Sequence, residues 1–220
     1  MTNFFNVILN KNMNINNNTI INYSNHLKKG YLELIIGPMF AGKSTELIRI
    51  IKNYQVLNCK ILTINHSINC RYGSDNIITH DLIEMKSNIS LNDLSLLLKD
   101  DLLLDKILNA DVIVIEELQF FDNAFNTIVS LIDHYNKVVI AAGLDGDYKK
   151  NPFGDVLRLI PHAEKIIKLS SLCKKCNDGT PAHFTKRINN SNPNLNIDSV
   201  INVGNNNEYE AVCRFHFIND

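Results

Sequence analysis

The stretch YLELIIGPMFAGKST, residues 31–45, reads as three elements in succession. YLELII is an Ile- and Leu-rich run of strand type, GPMFAG is a loop bounded by glycines, and KST opens a helical pattern. Gly37-x-x-x-x-Gly42-Lys43-Ser44 matches the Walker A pattern, and a strand before it with a helix after it is the context that pattern requires. Glycines let backbone N–H groups turn inward onto phosphate oxygens, and the helix N-terminus adds positive potential. Gly37, Pro38, Met39, Phe40, Ala41 and Gly42 are therefore expected to wrap a nucleotide's phosphates. Lys43 should reach the β/γ-phosphates, and Ser44 should ligate magnesium. The motif does not say what receives the phosphate.

Working outward, the same texture repeats. CKILTIN, ADVIVIEE, KVVIAAGL and KIIKLSS are short runs that are apolar throughout, as suits strands buried on both faces. Helical spacing lies between them: Leu47, Ile48, Ile51 and Tyr54 in STELIRIIKNYQVL, then SLNDLSLLLKDDLLLDKIL, then NAFNTIVSLIDHY. Strands alternating with helices predict an α/β fold, a P-loop NTPase-type and mostly parallel sheet with flanking helices, over residues 30–170. Residues 1–29 are Asn-rich and aperiodic, and read as a disordered extension. Residues 171–220 are too poor in large apolar side chains to build a core, so a bound metal is the expected staple.

The composition is that of an ordinary globular chain: 220 residues, 45% hydrophobic and 20% charged, with a net charge of −1. No basic field points to nucleic acid or to a membrane surface, and no apolar run approaches the ~20 residues of a bilayer span. FFNVILNKNMNINNN reads as neither a signal peptide nor a presequence. An odd count of five cysteines argues against a disulfide framework and for reduced thiols, which predicts a cytoplasmic location. Cys173-x-x-Cys176 and Cys213-x-x-His216 are two half-sites of soft ligands that suit a closed, structural zinc. Cys59 and Cys70 read as buried or incidental thiols.

ADVIVIEELQFF carries the second half of the nucleotide chemistry. Four apolar residues deliver Glu116 and Glu117 at the carboxyl end of a strand, where open α/β sheets place their ligands. Successive strand residues point to opposite sides, so one acid can serve the magnesium shell while the other reaches an acceptor hydroxyl.

GPMFAGKSTELIRI, the segment with Arg71, Tyr72, Thr79, His80 and Asp81, EELQFF, AAGLDGDYKKNPFG, KLSSLCKKC, FTKR and EYEAVCRFH together resemble the type II thymidine kinases, cellular and poxviral. The resemblance runs from about Tyr31 to His216 in the family's order. It implies transfer of the γ-phosphoryl group of ATP to the 5′-hydroxyl of thymidine. Glu117 would be the catalytic base, Glu116 would assist magnesium through water, and Arg71 and Gln119 would lie at the nucleotide. It implies a thymine environment of Met39, Phe120, Leu144, Tyr148, Phe153, Ser170 and Tyr209. A zinc-clamped lasso would add Val200, Ile201, Asn202, Val203 and Gly204, largely through backbone groups. It also implies a homotetramer, thymidine triphosphate as feedback inhibitor, and deoxyuridine as a further substrate. His80 reads as structural, and Asp145 and Lys149 as structural or solvent-facing. This sequence departs from the family pattern with Glu at 116 for Asp, Leu118 for Gly or Ala, Asn69 for Asp and Tyr148 for Phe.

Two enzymatic alternatives share the loop and the acids: a P-loop ATPase or GTPase switch with no nucleoside acceptor, and a nucleoside monophosphate kinase. A zinc-ribbon nucleic-acid binder is disfavoured by the balanced charge.

Overall fold

A computed structural model describes residues 29–68, 76–78, 84–86, 88–188 and 208–219. The expectations placed on the 1–28 extension, on Asn69, Cys70, Arg71, Tyr72, Thr79, His80 and Asp81, and on Val200, Ile201, Asn202, Val203 and Gly204 fall outside these residues.

Strands β1 (Tyr31–Ile36), β2 (Ile61–His66), β5 (Ile89–Leu91), β6 (Val112–Ile115), β7 (Val138–Gly143) and β8 (Lys165–Lys168) form a six-stranded sheet in the order β5-β2-β6-β7-β1-β8. Every neighbouring pair in it is parallel. A short antiparallel pair, β3 (Asn76–Ile78) and β4 (Glu84–Lys86), stands apart from it. Burial on both sides explains the apolar runs of β1, β6 and β7, whereas the run expected to be buried at β8 is an edge strand and largely exposed. Leu32, Leu34 and Ile36 of β1 enter one core cluster, with Ile113 and Ile115 of β6. Tyr31 and Ile35 enter the other, with Val112, Val114, Val138 and Ile140. Helix α1 (Lys43–Val56) covers this second face with Leu47, Ile50, Ile51 and Tyr54. Helix α4 (Ala124–Asp133) covers the first with Ala124, Ile128, Leu131 and Ile132. Within the sheet, Glu33 of β1 is buried and forms an ion pair with Lys165 at 2.8 Å.

The long helical pattern over residues 90–108 does not form one helix. Its start is the edge strand β5, which alternates buried Ile89, exposed Ser90 and buried Leu91. Asn88 pins that edge to Thr63 of β2, its N–H donating to the Thr63 carbonyl at 2.9 Å and its side-chain oxygen accepting the Thr63 N–H at 3.0 Å. The remainder splits into α2 (Leu96–Lys99) and α3 (Asp101–Asn109) at Asp100, which takes an extended conformation and accepts the Leu103 N–H at 3.0 Å. The capping carboxylate wins because it satisfies an otherwise unpaired N–H at the start of α3.

After β8 the chain leaves the sheet. β9 (Ser171–Leu172) pairs with β10 (Pro181–Ala182), β11 (Phe184–Arg187) pairs with β12 (Tyr209–Val212), and α5 (Arg214–Asn219) ends the described chain. The core of this ribbon is small, as its composition foretold: Cys173, Ala182, Ala211, Val212 and Cys213, with Phe40, Cys176, Phe184 and Phe217 packed against them.

Candidate active site and metal centre

The phosphate loop leaves β1 beside the end of β8. At Gly37 a Cβ would lie 2.5 Å from the Leu169 carbonyl oxygen, so this approach of two strand ends admits only glycine. At the other end of the loop, Lys43 folds back and donates from Nζ to the Pro38 carbonyl at 2.8 Å. Burial lowers the Lys43 pKa, while the charges of Glu117, Asp145 and Glu116 push it back up. The two halves of the motif thus meet, although β1 and β6 are not neighbours; β7 lies between them. Its end brings in Asp145, which is not merely solvent-facing: it is half-buried, pairs with Lys168 at 2.9 Å, and its field reaches Lys43.

The two acids have different surroundings. Glu116 is buried, and burial first, then the neighbouring Glu117 charge, push its carboxyl up to about 8 against a hydrogen bond from Ser44 and the Lys43 charge. Its Oε2 is buried without a hydrogen-bond partner. An orphaned carboxylate oxygen beside a serine hydroxyl is an all-oxygen donor set, which fits a magnesium ion carrying its own waters. A pH effect follows. Between the unfolded value of 4.5 and the folded value of about 8 the native carboxyl holds a proton that the unfolded one has lost. Stability of the cation-free protein should therefore fall as pH rises through that window. Thermal unfolding in the presence of a chelator should show this decline, and Glu116→Gln should flatten it; an equal slope in both proteins would contradict it.

Glu117 lies where the strand breaks. Its backbone is left-handed (φ 54°, ψ 43°) and turns the chain into the short 3₁₀ turn Leu118–Phe120. Its carboxylate accepts the Gln119 Nε2–H at 2.6 Å, and Gln119 Oε1 in turn accepts the Leu144 N–H at 2.9 Å. Gln119, expected at the nucleotide, is buried with its amide bonded at both ends to protein; it fixes the Glu117 carboxylate against the end of β7. Gly154 seals this turn from outside: with φ +56°, a Cβ there would lie 2.4 Å from the Gln119 carbonyl oxygen. Leu118, in the place of a smaller residue, is fully buried in the core beneath the turn.

Among the residues expected around the acceptor, one pair meets directly and the others are held by different partners. Phe120 meets the edge of Phe153, with centroids 5.6 Å apart. Leu144 sits on the Gln119 bridge, and Tyr148 lies under the Arg187 guanidinium at 5.4 Å. Arg187 is itself the strand partner of Tyr209. Met39 donates its N–H to Thr185 Oγ1 at 3.0 Å. Ser170 is exposed just beyond β8.

No sequence motif marked His66, and Thr185 carried no assigned role although it lies in the FTKR string. His66, buried at the end of β2, stands edge-on to Phe121 at 4.9 Å and tilted to Phe120 at 5.9 Å. Its Nδ1 accepts the Ile68 N–H at 3.1 Å, which makes that nitrogen an acceptor. Burial lowers its pKa, opposed by Asp122 and Glu117. Both residues become visible only through partners distant in sequence.

In the ribbon, the ligand atoms of Cys173, Cys176, Cys213 and His216 all lie within 4.8 Å of one another. His216 Nδ1 is 3.6, 3.4 and 3.4 Å from the sulfurs of Cys173, Cys176 and Cys213, and the last two sulfurs are 3.8 Å apart. Zinc bonds of about 2.3 Å to sulfur and about 2.0 Å to nitrogen in a tetrahedron require edges of about 3.5–3.8 Å, so the four residues fit zinc. With four protein ligands no coordination position is left for a reactant, and such a metal is structural. Cys59, by contrast, is half-buried, and burial raises its pKa.

Residues 30–217 match the family model described as Thymidine kinase. The chain belongs to the thymidine kinase family. Relatives named Thymidine kinase include those of Yaba monkey tumor virus (strain VR587), 39% identical over 190 residues, and Sheeppox virus (strain KS-1), 39% identical over 188 residues. The first alignment covers 85% of this chain and 94% of the relative; the second covers 84% and 95%. The Monkeypox virus thymidine kinase is 38% identical over 189 residues, covering 86% of this chain and 97% of its own. The thymidine kinase match spans both the parallel sheet and the ribbon, so the family accounts for the two units together. No helix among the described residues is long and apolar enough to cross a membrane.

Proposed function

We propose that the protein is a thymidine kinase that transfers the γ-phosphoryl group of ATP to the 5′-hydroxyl of thymidine. The observation that carries this reading is the convergence of Lys43, Glu116 and Glu117 at one end of the sheet, with Glu117 held by Gln119 beside an aromatic wall. The thymidine oxygen forms a bond to the γ-phosphorus as the bond from that phosphorus to the β,γ-bridging oxygen breaks, and ADP leaves. Glu117 takes the hydroxyl proton and later releases it to solvent. Lys43 and the loop N–H groups carry the charge of the phosphates, and phosphoryl transfer through a loose transition state needs chiefly such positioning and neutralisation. Magnesium, held through Ser44 and the Glu116 side, supplies charge neutralisation across the triphosphate when bound.

Phe120, Phe153, Leu144, Tyr148, Met39, Ser170 and Tyr209 form the thymine side of the pocket in this reading. Val200, Ile201, Asn202, Val203 and Gly204 belong to the lasso, and Arg71 to the phosphates. Closing the zinc-clamped lasso would keep water from competing as acceptor. We read the chain as an extension (1–29), a kinase domain (30–170) and a lasso domain (171–220). It would work in the cytoplasm as a homotetramer subject to thymidine triphosphate inhibition, with deoxyuridine as a second substrate.

The deciding assay offers ATP with each of the four deoxynucleosides and with thymidylate. Turnover restricted to thymidine and deoxyuridine is expected. Preference for thymidylate, or equal ATP loss with no acceptor, would overturn the proposal. Removal of residues 1–29 should leave activity intact, since the family match begins at residue 30. A folded but inactive truncation would show that the segment takes part.

A further inference from the structure

Two residues at the tip of the phosphate loop contact the Cys/His ribbon. The Met39 N–H is donated to the buried Thr185 Oγ1 of β11 at 3.0 Å. The Phe40 side chain packs against the ribbon core of Cys173, Ala182, Ala211, Val212 and Cys213, two of which are zinc-ligand candidates. Phe40 holds φ +63°, a left-handed conformation that is strained for a residue with a Cβ and persists only where its surroundings enforce it. The loop after β7 is braced by the same ribbon: Lys150, also left-handed at φ +67°, places its ammonium 4.4 Å from the Phe217 ring and 5.8 Å from that of Phe184. A cavity of about 390 Å³ beside Phe40, lined also by Cys173, Tyr209 and Ala211, leaves room for the tip to shift if the ribbon loosens.

We infer that Phe40 is a positioning residue through which the ribbon metal sets the shape of the phosphate loop, so that metal and nucleotide bind cooperatively. The inference rests on the loop binding ATP and the ribbon binding zinc, and it extends the ribbon's role from the lasso to the donor side of the site. The physical cause is simple. Without metal, four ligand groups lose the centre that holds them together, the small apolar cluster opens, and the strained tip relaxes away from Thr185.

Coupling of this kind is reciprocal. Zinc removal by a zinc-selective chelator, followed by restored magnesium, should weaken ADP binding about tenfold by calorimetry, and ADP should tighten zinc binding by the same factor. Both couplings should fall toward onefold in Phe40→Gly, which relieves the backbone strain but removes the prop, and largely return in Phe40→Leu. A residue that merely stabilised the fold would shift unfolding temperature without altering this reciprocity. Equal ADP affinity with and without zinc in the parent, or coupling that persists in Phe40→Gly, would overturn the inference. If the stripped protein unfolds, zinc-loaded Phe40→Gly and Thr185→Val keep all four ligands, and both should still bind ADP more weakly than the parent. Unchanged affinity in both would defeat the idea. A parent that binds no ADP in either state would instead remove the phosphate-loop reading itself.

Discussion

Glu117→Gln should lower kcat by about 100- to 10,000-fold while ATP and thymidine still bind, the range over which a well-placed base contributes. The substitution keeps the shape and the hydrogen-bonding length of the side chain but removes its capacity to take a proton. It also sets two amides against each other, because Gln119 donates to Glu117 at 2.6 Å and accepts from Leu144 at 2.9 Å. The fold should tolerate this, since the substituted amide can offer its carbonyl oxygen to the same donor. Steady-state kinetics beside calorimetric binding separates the cases: a large loss in kcat with binding retained marks the base, whereas a near-parent kcat would take Glu117 out of the chemistry. Loss of binding alone would mark Glu117 as a positioning group for ligand.

The second large effect belongs to the ribbon. Cys173→Ser should abolish stoichiometric zinc, because Cys173 is buried and lies within the ligand cluster whose other members cannot close a tetrahedron without it. A structural zinc site contributes about 10–16 kcal/mol of binding free energy in small domains, far more than the apolar cluster of Cys173, Ala182, Ala211, Val212 and Cys213 can replace. Thiol competition within the cluster is visible in its acidities. Burial raises Cys173, but backbone N–H groups of Cys213, Cys176 and Lys175 outweigh it and leave it at about 6. Burial and the hydrogen bond with Cys173 push Cys176 up to about 11. Thymidine binding should fall further than ATP binding, because the ribbon meets the phosphate loop at Met39 and Phe40, whereas in the proposed reading its β12 residue Tyr209 lies on the thymine side of the pocket. Elemental analysis decides the question of the metal: equal zinc in variant and parent would dismiss the cluster as a zinc site.

Much of the fold was legible because its signals are local. Five apolar runs became five strands of the parallel sheet, and the Gly37–Ser44 pattern became a strand–loop–helix passage. The sixth strand was hidden: Ile89–Leu91 shows only one cycle of alternation, and the leucines that follow it mimic a continuous helix. Asp100 interrupts that helix by accepting the Leu103 N–H as the cap of a new helix start. The zinc half-sites were legible by spacing, since C-x-x-C and C-x-x-H each place two ligands on one short turn.

The part that remained hidden depends on register between distant segments. Gln119 has the sequence context of a nucleotide contact, but its amide lies between Glu117 and the end of β7. Asp145 reads only as structural or solvent-facing until β7 is placed between β1 and β6, which carries it to the Lys43 side of the site. His66 belongs to no quoted motif and Thr185 sits in FTKR without an assigned role; both acquire meaning only through Met39, Phe120 and Phe121. The chain by itself determined which chemical groups are present and their short-range geometry, because backbone turns and helical spacing act over a few residues. Tertiary structure alone decided which groups face one another, because strand order brings together side chains whose separation along the chain carries no record of their distance in space.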